Sequence, residues 1–207
     1  MGTIMFYTLP GMGANNRMYG GAWRTLPECV FLNWPVHRGE TSIASIARRI
    51  VDDAGIADGA VVIGSSLGGM VACEIARLRK LNALVLVGSA TRKEEISRFL
   101  GAIHPLAGLA PLEFVQRAAG KCPGELTGMF NVSDAAFIRA ACRAIFAWEG
   151  LDSAAIAPLR IHGRRDRVIP LPADAHCVID GGHLIAMTHA EACVEFIRVQ
   201  QARDWRS

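Results

Sequence analysis

A chain of 207 residues, 51% hydrophobic and 20% charged, is long enough for one folded domain with a substantial core. Its net charge of +3 and pI of about 8.6 are too mild for a nucleic-acid surface, and the basic runs Arg48-Arg49 and Arg164-Arg165 have no aromatic platform beside them. No apolar run has the length of a bilayer span, and residues 1–10 read as a strand rather than a leader with a cleavage site, so a cytoplasmic protein is expected.

Short apolar runs alternate with helical periodicity along the chain. Residues 3–9 and 29–34 are the first two runs, followed by 60–65 (AVVIGS), 83–88 (ALVLVG), 159–162 and 176–179. Apolar runs without alternation suit strands buried on both faces, as in a parallel sheet. Between the second and third runs, Ile43, Ile46, Ala47, Ile50, Val51 and Ala54 recur at helical spacing, with Thr41 or Ser42 to cap the start and Gly55 to end it. A second helix is expected over residues 70–79. The last begins at Thr188, with Glu191 three residues on as a capping box and Ala192, Cys193, Phe196 and Ile197 as its apolar stripe.

Residues 90–157 break this rhythm. They hold helical pieces at 93–103, 112–119 and 134–148, separated by prolines and glycines, and read as a helical insertion between the fourth and fifth strands of a single domain spanning 1–207. The fold class is α/β: a doubly wound, mostly parallel six-stranded sheet with helices on both faces. The expected strand order, in chain numbering, is 2-1-3-4-5-6. Its switch point lies between strands 1 and 3, and ligands bind outside the strand C-termini at such a point. The six cysteines (Cys29, Cys73, Cys122, Cys142, Cys177 and Cys193) form no C-x-x-C pair and read as buried free thiols, not as disulfides or zinc ligands.

The switch-point loops hold the chemistry. Gly64-Ser65-Ser66-Leu67-Gly68 fits G-x-S-x-G between a predicted strand and a predicted helix. Such a turn exposes a serine hydroxyl above a helix N-terminus, where developing negative charge is favoured. Of the two hydroxyls, only Ser66 has glycines two residues away on both sides, so Ser66 is chosen over Ser65 as nucleophile. His183 follows Gly181-Gly182 just past the last strand, on the same sheet edge, and is the expected base; His189 falls in the last helix and His176 at the opposite sheet end. Asp166, directly after the fifth strand, is the expected acid, with Asp134 and Asp152 as weaker candidates and a surface pairing with Arg164, Arg165 or Arg167 as the bland alternative. The order Ser, Asp, His differs from that of chymotrypsin and subtilisin. Two backbone amides must hold an oxyanion: that of Leu67, and one from Pro10-Gly11-Met12-Gly13, with Met12 preferred and Gly11 the alternative.

Together, Leu9-Pro10-Gly11-Met12-Gly13, GSSLGG at 64–69, HGRRDRVIP at 162–170 and GGH at 181–183 resemble the α/β-hydrolase superfamily, in particular its small esterase and thioesterase-like members. The resemblance covers nearly the whole chain. It departs where the chain begins at what would be the family's third strand, and where Pro10-Gly11 replaces the His-Gly of many oxyanion loops. It implies a catalytic triad of Ser66, Asp166 and His183, with residues 90–157 as a helical cap over the site. It also implies hydrolysis of a small-molecule acyl ester or thioester, with no metal or organic cofactor.

The cap's large apolar residues Phe99, Leu100, Phe114, Phe130, Phe137, Phe146 and Trp148 are expected mainly in the cap's own core, the remainder lining an acyl pocket. The cap cations Arg92, Lys93, Arg98, Arg117, Lys121, Arg139 and Arg143 are read as a solvated face, or more sharply as a landing site for an anionic acyl carrier. A lyase or cofactor-free haloperoxidase would share the same three side chains, and a non-catalytic ligand-binding protein could keep the pocket.

Overall fold

The computed structural model describes residues 3–96, 129, 134–152 and 156–205. Six strands are β1 (Phe6–Leu9), β2 (Cys29–Phe31), β3 (Val61–Ser65), β4 (Ala83–Val87), β5 (Leu159–Gly163) and β6 (Cys177–Ile179). They form one sheet in the order β2-β1-β3-β4-β5-β6, and every pairing is parallel. The expected order is the observed one. Burial follows it: β1, β3 and β4 are buried along their whole length, whereas the edge strands β2 and β6 are half open. A strand covered by helices on both faces has no solvent side, which is why the inner runs lack polar alternation.

The helices described over their length are α1 (Ile43–Ala54), α2 (Leu67–Leu78), α3 (Ala135–Phe146), α4 (Ile185–Thr188) and α5 (Ala190–Asp204). Helix α1 starts on a capping box in which Ser42 accepts from the Ser45 amide and Ser45 from the Ser42 amide, and it ends on Gly55 at φ 63°. Its stripe of Ile43, Ile46, Ala47, Ile50 and Val51 joins Met70, Val71 and Ile75 of α2 on one face of the sheet. Each such isoleucine contributes about 1.5–3 kcal/mol by leaving water. On the other face, Phe6, Val61, Ile63, Val85 and Ile161 meet Tyr19, Trp23, Ile185, Cys193 and Ile197.

Three expectations need correction. Helix α2 begins at Leu67, not at residue 70, because Ser66 itself is the turn into the helix. The last helix has no Thr188 capping box: Thr188 closes the short α4, its hydroxyl donates to the Leu184 carbonyl at 3.1 Å, and His189 stands at the α5 cap without a side-chain bond. The buried face of α5 is consequently Ala190, Cys193, Val194 and Ile197, with Ala192 exposed.

Of the expected helical pieces between β4 and β5, residues 93–95 form a single 3-10 turn and α3 fills most of 134–148, with Asp134 as its N-cap. The piece at 112–119, together with Phe99, Leu100, Phe114, Phe130, Arg98, Arg117, Lys121 and Cys122, lies outside the described residues. Helix α3 packs on the α1/α2 layer. Phe137 and Trp148 belong to that core rather than to one of their own, and the indole of Trp148 donates to buried Glu74 at 2.8 Å. Among the described cysteines, Cys73 and Cys193 are buried and Cys29, Cys142 and Cys177 half-buried, all as free thiols. No described helix is long and apolar enough to cross a membrane.

Candidate active site

The parallel order brings three loops to one edge of the sheet: those after β3, β5 and β6. Ser66 sits at the first, at φ 52° and ψ −120°. A non-glycine residue holds such a conformation only where its surroundings over-determine it. Here they do. The Ser66 amide donates to the Val87 carbonyl at 3.2 Å, and its carbonyl accepts from the Gly69 amide at 2.9 Å and the Ser89 hydroxyl at 2.7 Å. The glycines serve closeness, not dihedral freedom, since none of Gly64, Gly68 and Gly69 has positive φ. A Cβ on Gly64 would strike the Gly68 backbone, one on Gly68 the Leu9 and Pro10 carbonyls, and one on Gly69 the Ser89 side chain. Ser65 is the buried last residue of β3.

His183 arrives from the loop after β6. Its Nε2 lies 3.0 Å from Ser66 Oγ and its Nδ1 2.8 Å from Asp166 Oδ2. Because a carboxylate only accepts, Nδ1 carries the proton and Nε2 is left to accept from the serine. The glycines before it also have no positive φ; they let the loop lie against β5, where a Cβ on Gly163 would meet the Gly181 and Gly182 carbonyls. Gly88, after β4, is different. It takes φ 53° and lies beneath the pair, its Cβ position 3.1 Å from the His183 carbonyl and 3.6 Å from Asp166 Oδ2.

Asp166 is fully partnered. Oδ1 accepts from the Val168 amide at 2.8 Å and the Ile169 amide at 2.9 Å. Oδ2 accepts from His183, and His162 Nε2 stands 3.4 Å from the same oxygen. His162 was missed as a site residue by the sequence reading. It is buried in β5 and Nε2 donates to the Ile169 carbonyl at 2.7 Å, so its ring is a donor fixed between a carbonyl and the carboxylate. Burial alone would push the Asp166 carboxyl up, but the hydrogen bonds from His162, His183 and the Ile169 amide outweigh it and hold the group well below the usual carboxylate range. The neighbouring arginines do not take it: Arg165 pairs instead with Asp180 at 2.7 Å. Asp134 caps α3, Asp152 is exposed, His189 bonds Thr188 and His176 accepts from the Arg160 amide before β6.

The loop after β1 closes the site. The position of a Cβ on Gly11 is 3.7 Å from Ser66 Cβ, so this backbone runs directly beside the serine. The Gly11 amide donates to Met18 Sδ at 3.2 Å. No hydrogen bond among the described residues engages the Met12 or Leu67 amide.

The family model described as "Alpha/beta hydrolase family" matches residues 4–196, and the chain belongs to that family. Among solved structures it is similar to a thermophilic esterase from Thermogutta terrifontis, at 19% identity and a TM-score of 0.74, with 99% of this chain and 91% of that one covered. It is also similar to the type II thioesterase BorB from the borrelidin biosynthetic cluster (20% identity, TM-score 0.68, 99% and 93% covered). A third is the N-acyl homoserine lactonase AidH in its E219G mutant (18% identity, TM-score 0.70, 96% and 89% covered). At these identities the likeness is one of fold. No curated protein matches the chain.

Proposed function

We propose that the protein is a serine hydrolase that cleaves a small-molecule carboxylic ester or thioester through an acyl-enzyme on Ser66. The observation that carries this reading is the unbroken line of hydrogen bonds Ser66 Oγ, His183 Nε2, His183 Nδ1, Asp166 Oδ2, at 3.0 and 2.8 Å. A lone buried histidine would not need a strained, half-buried serine on one side and a saturated carboxylate on the other.

In the proposed cycle His183 Nε2 takes the Ser66 proton as Oγ attacks the substrate carbonyl carbon. The negative charge moves to the carbonyl oxygen, which the Met12 and Leu67 amides receive, with the α2 N-terminus behind Leu67 adding its field. The protonated His183 then gives that proton to the departing alkoxide or thiolate. Water enters, loses a proton to His183 and attacks the acyl carbon; collapse of the second tetrahedral species returns the proton to Ser66 and releases the acid. Asp166 keeps its charge throughout and stabilises the imidazolium. Residues 90–157 are proposed to cap the site, and the cytoplasm is the proposed compartment.

The test is labelling by a fluorophosphonate probe together with hydrolysis of short-chain p-nitrophenyl esters and acyl-CoA. Ser66→Ala should abolish labelling and lower kcat by about 10⁴-fold or more. Undiminished turnover in that variant would remove Ser66 from the mechanism. Acyl-CoA turned over no better than neutral esters would argue against an anionic carrier as the acyl donor.

A further inference from the structure

Strand register places an unexpected side chain at the oxyanion loop. Thr8 of β1 pairs with Phe31 of β2, and three residues further along the chain from each, in the loops past the strand ends, Trp34 stands beside Gly11. The Trp34 indole N–H donates to the Gly11 carbonyl at 2.9 Å. That carbonyl also closes a β-turn by accepting from the Ala14 amide at 3.1 Å, with Gly13 at φ 70° in the third position, the pattern of a type II turn.

The Gly11 carbonyl and the Met12 N–H belong to one peptide unit. No peptide bond in the described chain is cis, so the two groups point in opposite directions from one plane. Fixing the carbonyl therefore fixes the amide. We infer that Trp34 is a positioning residue that orients the Met12 amide for the oxyanion; this rests on the hydrolase reading given above. The indole is itself held. Its ring lies 5.1 Å from that of Phe137 at 34°, and the next turn of α3 supplies Cys142, whose thiol donates to Met12 Sδ at 3.6 Å. Helix α3 thus grips both the residue that aims the amide and the side chain of the residue that bears it. The Tyr19 hydroxyl, donating to the Leu9 carbonyl at 2.6 Å, anchors the entry to the same loop.

An oxyanion donor acts in the transition state and not on bound substrate, so mis-aiming it should lower kcat and leave KM alone. Trp34→Phe keeps a ring against Phe137 and removes the N–H. Deleting an oxyanion donor outright costs about 10²–10³-fold, so loss of its support should lower kcat by about tenfold or more. KM on the same ester should stay within about twofold, and the affinity of an alkyl boronic acid, which forms a tetrahedral adduct on serine, should fall in step with kcat. A merely structural Trp34 would lower the melting temperature or raise KM without weakening the boronate in proportion. Should Trp34→Phe fail to fold, benzothienylalanine at position 34 preserves the ring outline and replaces only the N–H by sulfur, and the same readouts apply. Unchanged kcat and boronate affinity in the variant that folds would overturn the inference while an active, probe-labelled wild type keeps the hydrolase reading. A wild type with neither turnover nor labelling would overturn both.

Discussion

Strand β5 carries two buried polar clusters, and they behave as opposites. Toward its start, Arg160 is almost fully buried and meets Glu95 with both guanidinium nitrogens, Asp174 at 2.8 Å and the Ser89 carbonyl at 3.2 Å. Two residues on, His162 faces Asp166 and the pair of side chains beyond it. In the first cluster charge is closed against charge. Burial pulls against it, but the Arg160 bond and the Thr91 hydroxyl and amide hold Glu95 below its ordinary range. In the second, a single carboxylate accepts from the His183 ring and from two backbone amides, and the other ring nitrogen of His183 meets a serine hydroxyl at 3.0 Å. Polar burial alone therefore does not mark a candidate site; what sets the second cluster apart is a ring nitrogen facing a half-buried serine hydroxyl. The Arg160 cluster instead fastens the stretch after β4 to β5 and to the loop before β6.

The contrast can be broken by exchanging the two kinds of loss. Asp166→Asn should leave the fold in place and lower kcat about 10⁴-fold, because an amide favours the wrong imidazole tautomer. Steady-state kinetics with a circular dichroism control would decide it, and loss of fold in step with activity would mean the second cluster is structural too. Arg160→Met should do the reverse, leaving Glu95 in a largely buried place with only the exposed Arg92 guanidinium, at 3.8 Å. A loss of about 3 kcal/mol or more in urea unfolding is expected, with kcat per folded molecule little changed. Smaller still is Gly88→Ala. A side chain at φ 53°, so close to the His183 carbonyl, should cost about 1–2 kcal/mol, and the melting temperature should fall along with activity.

The gentlest probe is acid, because both clusters lean on depressed carboxyls. Burial raises Asp166 and Glu95, hydrogen bonds lower them further, and the net direction for each is down. A carboxyl whose folded pKa lies below its unfolded one lends stability that is complete above the unfolded value and disappears as pH falls through the folded one. The melting temperature should accordingly be level near neutrality and decline below about pH 4, where unfolded carboxyls begin to take up protons. A melting temperature that rises on acidification would contradict both assignments.

The sheet was readable because its inner strands are apolar without alternation, and the grouping of Ser66, Asp166 and His183 because each follows a strand at the same edge. What stayed hidden depends on register or on neighbours. Trp34 matters only because β1 and β2 pair as Thr8 with Phe31. His162 lies inside an apolar run, where nothing local distinguishes a ring that fills space from one that donates to the Ile169 carbonyl beside the Asp166 carboxylate. Thr188 looked like a cap because one helix was expected where two abut, and a residue ending the first cannot open the second.

The pairing of β4 with β5 joins Val87 to Ile161. Bringing those segments together closes the longest loop among the sheet's pairings, about seventy residues against about fifty-five for β1 with β3, although the added entropic cost is only a few tenths of a kcal/mol. Ser66 stands before that loop in the chain; Asp166 and His183 stand after it. Following ellipticity and ester turnover together during refolding tests whether Ser66 meets His183 only after α1 and α2 have formed. Recovered turnover, rather than recovered ellipticity, is then the measure of a finished molecule.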